Sequence, residues 1–204
     1  HVEAGLRSYR DTQPEEINRK IIDQISKICF APTETAANNL KKEGIRESQI
    51  QLIGDVMADS MRIFSEKAEV NADNLLKNKN LQKYSFILAT FHRAENTDNP
   101  VNIKEILKAL ESSPLPVIIP LHPRTKSKIL EYGLESLLDK LITSEPISFL
   151  DMLTLQKYSS IIVTDSGGMQ KEAYLQGTPC VTIRDETEWG ELLLNGWNIL
   201  ANPR

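Results

Sequence analysis

Two cysteines, three histidines and no long apolar run are found in these 204 residues, and each scarcity excludes something. Cys29 in KICFAP and Cys180 in TPCVTIR have no CxxC or metal-ligand spacing around them. Both read as reduced core thiols of a cytosolic protein, and no metal site is expected. A bilayer-spanning helix needs roughly 20 consecutive apolar residues, and no stretch approaches that length; no charged-then-apolar leader is visible either. Lysine and arginine total 24 against 28 acidic residues, giving a net charge of −4, and neither sign forms a block. Nucleic acid and membrane surfaces are therefore not expected as partners. Internal repeats and low-complexity tracts are absent. The chain begins at His1 rather than methionine, so a natural start upstream is expected.

What is present is 40% apolar and 25% charged residues, the balance of a globular protein with a sizeable core. From residue 84 onward, short β-rich runs alternate with helix-length amphipathic segments, the pattern of a parallel sheet made from βαβ units. The runs are SFILAT, PVIIPLH, KLITSE, SIIVTDS, PCVTIR and WNILA; helices are expected at about 99–112, 124–132, 149–159, 168–176 and 187–195. Gly177 stops the fourth of these helices, and Pro179 opens the next strand. This half, 84–204, reads as a nearly complete Rossmann-like domain.

Residues 1–68 repeat the alternation on a smaller scale. EEINRKIIDQISKI places Ile17, Ile21, Ile25 and Ile28 on one helical face behind Pro14. With about two strands and three helices, 1–68 is too little for an independent α/β domain, and reads as the C-terminal part of one. The polar stretch EVNADNLLKNKN, within 69–83, reads as a linker or hinge.

Four segments carry candidate chemistry. In SIIVTDSGGMQKEAYLQG a strand delivers Asp165, Ser166, Gly167 and Gly168 to the carboxyl edge of the sheet, where a helix starts at once. Free N–H groups and the helix dipole favour a phosphate there. Glu172, one turn past Gly168, has the reach to accept hydrogen bonds from ribose hydroxyls. The simpler reading is a tight βα turn in which glycine only relieves a steric problem. In HRAEN, His92, Arg93 and Glu95 leave FILAT at the same edge. Histidine and arginine there can neutralise a diphosphate leaving group, and the histidine can also protonate it; a hydrogen-bonded structural histidine is the alternative. His122, in PLHPRT, ends the next strand in the same way.

The third segment is HVEAGLRS followed by PEEINR. Glu3 ends a strand and Glu15 opens a helix, so a returning loop can bring two carboxylates to one cleft for proton removal and return; first-turn helix charge and i,i+4 pairing are the alternatives for Glu15. In RDETEWGE, Arg184 reaches a further carboxyl edge, either toward a nucleotide or into an ion pair with Asp185 or Glu188, and Thr187 is expected as a helix N-cap.

HVEAGLRS, PEEINR, HRAEN, LHPRT, DSGGMQKEA and RDETEW, in this order, resemble the non-hydrolysing UDP-N-acetylglucosamine 2-epimerase family across nearly the whole chain. The resemblance implies an α/β protein of glycosyltransferase-B type, with two Rossmann-like domains of which the first is truncated here. It implies reversible inversion at C2 of a UDP-amino sugar, giving UDP-N-acetylmannosamine by elimination of UDP and its re-addition, with no cofactor. By position, Glu3 and Glu15 match acidic residues near the sugar, and His92 the histidine near the diphosphate. Ser166, Gly167, Gly168 and Glu172 match the nucleotide site, and Arg184 the arginine of the following strand. Glu15, Arg93 and His122 match an activator site found in some bacterial members. A homodimer is implied for the full-length protein. The family's N-terminal phosphate loop and C-terminal crossing helix have no counterpart here, so a fragment of weak or no turnover is expected. RDETEWGE and QKEAY also resemble relatives acting on UDP-2,3-diacetamido-2,3-dideoxyglucuronic acid. A glycosyltransferase of the same fold, or a non-catalytic UDP-sugar binding module, are the competing readings.

Overall fold

Strand-forming runs too short to stand alone are gathered into two parallel sheets, each belonging to its own compact unit, His1–Ser60 and Met61–Arg204. The computed structural model describes residues 1–9, 14–194 and 196–202.

In the first unit, helix α1 (Pro14–Ile25) is followed by β1 (Cys29–Ala31), α2 (Glu34–Lys42) and β2 (Ile50–Leu52). β1 and β2 pair in parallel, and Val2 adds a parallel bridge to Phe30. Thr33 caps α2 by accepting from the Ala36 amide. Gly5 has φ +82, and a Cβ there would stand 2.2 Å from the Ala36 carbonyl oxygen. Only glycine lets HVEAGLRS pass so close to α2. α1 departs from the pattern expected of it: Ile17, Ile21, Ile22 and Ile25 are exposed, whereas Glu16 and Asp23 are fully buried. Its packed face is polar because the loop before it supplies the hydrogen bonds.

Helix α3 (Val56–Glu69) crosses the boundary between the units. The second unit continues with α4 (Ala72–Asn78), β3 (Ile87–Thr90), α5 (Ala94–Thr97), α6 (Pro100–Glu111), β4 (Val117–Pro120) and α7 (Pro123–Glu131). It is completed by β5 (Ile142–Ser144), α8 (Phe149–Tyr158), β6 (Ile161–Thr164), α9 (Gly167–Gln176), β7 (Cys180–Thr182), α10 (Gly190–Leu194) and β8 (Asn198–Leu200). All six expected strands are present. They are parallel in the order β5-β4-β3-β6-β7-β8. Alternate residues feed two cores. Leu88, Ile118 and Ile162 join Leu155, Met169 and Ala173 on one face; Ala89, Val117 and Ile119 join Ile103, Leu107 and Ile129 on the other.

Two sequence expectations change. Residues 69–83 are not a free linker, because α4 and its flank bury Ala72, Leu76 and Leu81 in the first of these cores. Three apolar anchors in a polar stretch suffice to dock a short helix. The last expected helix, 187–195, is shortened to Gly190–Leu194. Thr187 does not cap it: its hydroxyl donates to Gln170 Oε1 and accepts from the Trp189 amide. Asn195 lies outside the described residues. Among those residues, no helix is long and apolar enough to cross a membrane.

Candidate functional site

The chain leaves β3 leftward to β4 and β5, and leaves β6 rightward to β7 and β8, so the strand order reverses between two neighbouring strands. Such a switch point opens a crevice at the carboxyl ends, where ligands of doubly wound sheets bind. β3 and β6 run in register there, Thr90 opposite Thr164, with their hydroxyls 2.9 Å apart. HRAEN follows one strand and DSGG the other. The two segments read separately in the sequence are thus side by side.

Asp165 joins them. Its fully buried carboxylate accepts from the amides of His92 (3.0 Å) and Arg93 (2.9 Å) and from Asn96 Nδ2 (2.9 Å). Asn96 also donates to the Ile183 carbonyl. The amides of the two residues that lead into α5 thereby share one buried acceptor, and the turn carrying His92 and Arg93 is fixed. His92 stays 44% exposed, its Nδ1 3.7 Å from Asp165, and its ring stacks on that of His122 at 5.1 Å between centroids. His122 is the N-cap of α7: its Nδ1 accepts from the Arg124 amide, which leaves Nε2 to carry the proton of the neutral ring. Glu95 is exposed and Arg93 half-buried.

Across the crevice Ser166 caps α9, accepting from the Met169 amide. Gly167 and Gly168 hold the first two helical positions, whose amides have no acceptor within the helix. The space beside Gly167 is already occupied: a Cβ there would lie 2.2 Å from Glu188 Oε1. This glycine accommodates a neighbouring carboxylate, a requirement separate from any close approach by phosphate. Arg184 is 5% exposed and bonds Glu188 at 2.8 Å, an ion pair that is buried rather than superficial. Burial pushes the Glu188 carboxyl up, but the charge and hydrogen bond of Arg184, its own backbone amide and the more distant Arg93 outweigh it and hold the group below the usual range. Arg184 is therefore neutralised within the fold. Lys171 lies 4.1 Å over the Trp189 ring, tying α9 to the same loop.

Glu172 is half-buried one turn beyond Gly168, and its Oε2 accepts from Gln156 Nε2 at 2.6 Å. Sequence reading missed Asp165 as an organiser and Gln156, because each acts through partners 16 or more residues away, and it named Glu188 only as one of two partners for an ion pair with Arg184, without its contact with Gly167.

In the first unit, Glu3 follows the Val2 bridge with φ +62, a left-handed conformation unusual for glutamate. Anchors on both sides impose it. Ala4 donates to the Phe30 carbonyl, Gly5 donates to Asp23, and Arg7 bonds both Asp23 (2.7 Å) and Glu43 (2.6 Å). Glu15 is exposed on the first turn of α1, and burial falls on its neighbour Glu16, which accepts from the amides of Ser8 and Tyr9.

A hollow of about 410 Å³ lies elsewhere in the second unit, lined by Ile87, Ile106, Leu110, Val163, Val181 and Ile183 among others. Its lining is mainly apolar, with Glu105, Ser113 and Asn202 as the polar members, and it holds none of the candidate residues, so the crevice at the switch point is the better ligand site. Among the described residues no group of three or more histidine, cysteine or acidic side chains is arranged to hold a metal.

A family model described as UDP-N-acetylglucosamine 2-epimerase matches residues 1–204. A UDP-N-acetylglucosamine 2-epimerase homolog of Methanococcus maripaludis is 48% identical, the match covering 98% of this chain and 57% of the relative. The UDP-2,3-diacetamido-2,3-dideoxy-D-glucuronate 2-epimerase of Pseudomonas aeruginosa is 45% identical over 98% of this chain and 56% of its own. Among solved structures, that of Methanocaldococcus jannaschii UDP-GlcNAc 2-epimerase in complex with UDP-GlcNAc and UDP superposes with a TM-score of 0.91 at 41% identity, covering 100% of this chain and 58% of that one. The chain thus spans little more than half the length of the relatives it matches.

Proposed function

Since the chain belongs to the UDP-N-acetylglucosamine 2-epimerase family, we propose that it serves the inversion of C2 in a UDP-linked amino sugar, interconverting UDP-N-acetylglucosamine and UDP-N-acetylmannosamine. A base removes the C2 proton, the electron pair forms the C1–C2 double bond, and the C1–O bond breaks as UDP leaves. Re-addition of UDP with a proton delivered to the opposite face of C2 completes the inversion. No electrons are gained or lost overall, so no redox cofactor is required.

In this reading the amides of Gly167 and Gly168, with Ser166, receive the diphosphate, and Glu172 receives the ribose. His92 and Arg93 face the bond that breaks; Glu3 and Glu15 handle the proton. Arg184 contributes through its pair with Glu188, by holding the loop beside α9. Arg93 and His122 also form the regulatory candidates, and the stack of His122 on His92 is the contact through which a second ligand would be felt. The reading includes a homodimeric parent protein in the cytoplasm, supplying amino sugars for polysaccharide synthesis.

One observation carries the proposal: two chemically equipped loops, HRAEN and DSGG, flank the switch point and are locked together by Asp165. The test is deuterium wash-in at C2 of UDP-N-acetylglucosamine in heavy water, read together with formation of the 2-epimer. Exchange is expected to fall by roughly 10²–10⁴-fold on His92→Ala, the range for loss of a general acid or base. Intact UDP binding with no exchange in the parent protein would favour a binding module instead. The Pseudomonas aeruginosa relative, at 45% identity, motivates a second substrate in the same assay, UDP-2,3-diacetamido-2,3-dideoxyglucuronic acid.

A further inference from the structure

Gln156 belongs to no motif and carries no charge, yet it is fully buried on α8 and its side chain ends on the Glu172 carboxylate at 2.6 Å. A carboxylate only accepts, so the Gln156 NH₂ must face Glu172 and its carbonyl oxygen must face away. That oxygen accepts from Gln176 Nε2 at 2.9 Å, and the same Gln176 nitrogen donates to the Leu153 carbonyl. Both amides therefore have one orientation each, dictated by a carboxylate at one end of the chain of bonds and a backbone carbonyl at the other. The Gln156 backbone is pinned as well, its carbonyl accepting from the hydroxyls of Ser159 and Thr178.

We propose that Gln156, backed by Gln176, is a positioning residue that fixes the rotamer of Glu172 and reserves its second oxygen, Oε1, for the hydroxyls of a ribose. This rests on the assignment of Glu172 to the sugar of the nucleotide. A lone glutamate on an exposed helical turn samples several rotamers, and freezing it on binding weakens the complex. A charge-assisted bond from a buried amide settles that choice beforehand. Oε2 is taken by Gln156; among the described residues no hydrogen bond to Oε1 is found. Glu172 is half-buried rather than buried, so the residue keeps contact with solvent on α9, one turn past Gly168.

The discriminating readout is a ratio, the affinity for UDP over that for 2′,3′-dideoxy-UDP, measured by calorimetry on the 204-residue chain. Glu172→Ala should bring the ratio close to one by removing the acceptor. Gln156→Met keeps the volume without the hydrogen bond. It should weaken UDP by roughly three- to tenfold, the cost of ordering one long side chain on binding, while leaving dideoxy-UDP nearly unchanged. Gln176→Met, which frees the Gln156 amide to turn over, should act in the same direction and less strongly, and it decides the matter if the Gln156→Met variant does not fold. An unchanged ratio in both glutamine variants, with Glu172→Ala collapsing it, would overturn the positioning role and leave the ribose assignment standing. A ratio untouched by Glu172→Ala would overturn the ribose assignment itself, and this inference with it.

Discussion

A single glycine illustrates how residue identities are set here. Gly167 is buried against Glu188, whose carboxylate occupies the space of the missing Cβ. Gly167→Ala should push that carboxylate off Arg184 and cost about 1–3 kcal/mol, the range for overpacking a close-packed site, read as a shift in the denaturation midpoint. Glu188→Gln removes the charge facing a buried guanidinium and should cost more, roughly 3–5 kcal/mol. The pH dependence follows from the direction of the Glu188 shift. Its folded pKa lies below its unfolded one, so its contribution is fully present above the unfolded value and is lost as pH falls through the folded one. Stability profiles of wild type and Glu188→Gln should converge at acid pH and diverge toward neutrality; parallel profiles would show that the pair contributes nothing. Residues like this one are only half legible in the sequence. Arg184 is visible there as a candidate, and Glu188 as one of two partners, but whether the pair is buried depends on α9 packing against the loop, which spacing alone does not encode. Glu15 and Glu16 make the same point: adjacent and chemically identical, they differ because only Glu16 meets the amides of Ser8 and Tyr9.

At the scale of elements, the alternation of β-rich and amphipathic runs is enough to locate every strand of the larger sheet and most of its helices, because strands covered on both faces stand out as short continuous apolar runs. What it does not supply is strand order. That β3 lies beside β6, about 70 residues on, is a property of the crossovers, and it is this adjacency that turns two weak motifs into one site. Helix α5 escapes the sequence for a related reason: four residues long, it has no periodicity to detect, and the turn that leads into it is held by Asp165, just past a strand about 70 residues on. This contact yields its own prediction. Asp165→Ala should free the His92–Asn96 turn, so that the amides of His92 and Arg93 exchange with solvent at least about tenfold faster in hydrogen exchange, as local opening free energies fall, while amides of β4 and β5 keep their protection. Loss of protection throughout the sheet would instead make Asp165 a determinant of global stability.

The chain as a whole consists of two units of very different self-sufficiency. Residues 61–204 contain a six-stranded sheet with a core on each face. The first unit has a two-stranded sheet and leaves Ile17, Ile21, Ile22 and Ile25 of α1 exposed. A segment of residues 55–204, keeping α3 whole, should melt in one cooperative transition followed by circular dichroism, whereas residues 1–54 alone should show none, since a two-stranded sheet with an uncovered apolar helix buries too little surface. A cooperative melt of 1–54 would refute that division. The proposed placement of the nucleotide on Ser166, Gly167, Gly168 and Glu172 of the second unit gives the most direct test available at this scale. Titration of ¹⁵N-labelled chain with UDP, followed by amide chemical shifts, should give saturable changes centred on Gly167, Gly168 and Met169, with smaller ones at His92 and Arg93. Silence at those amides through millimolar UDP, or changes concentrated at the amino ends of the strands, would contradict the account.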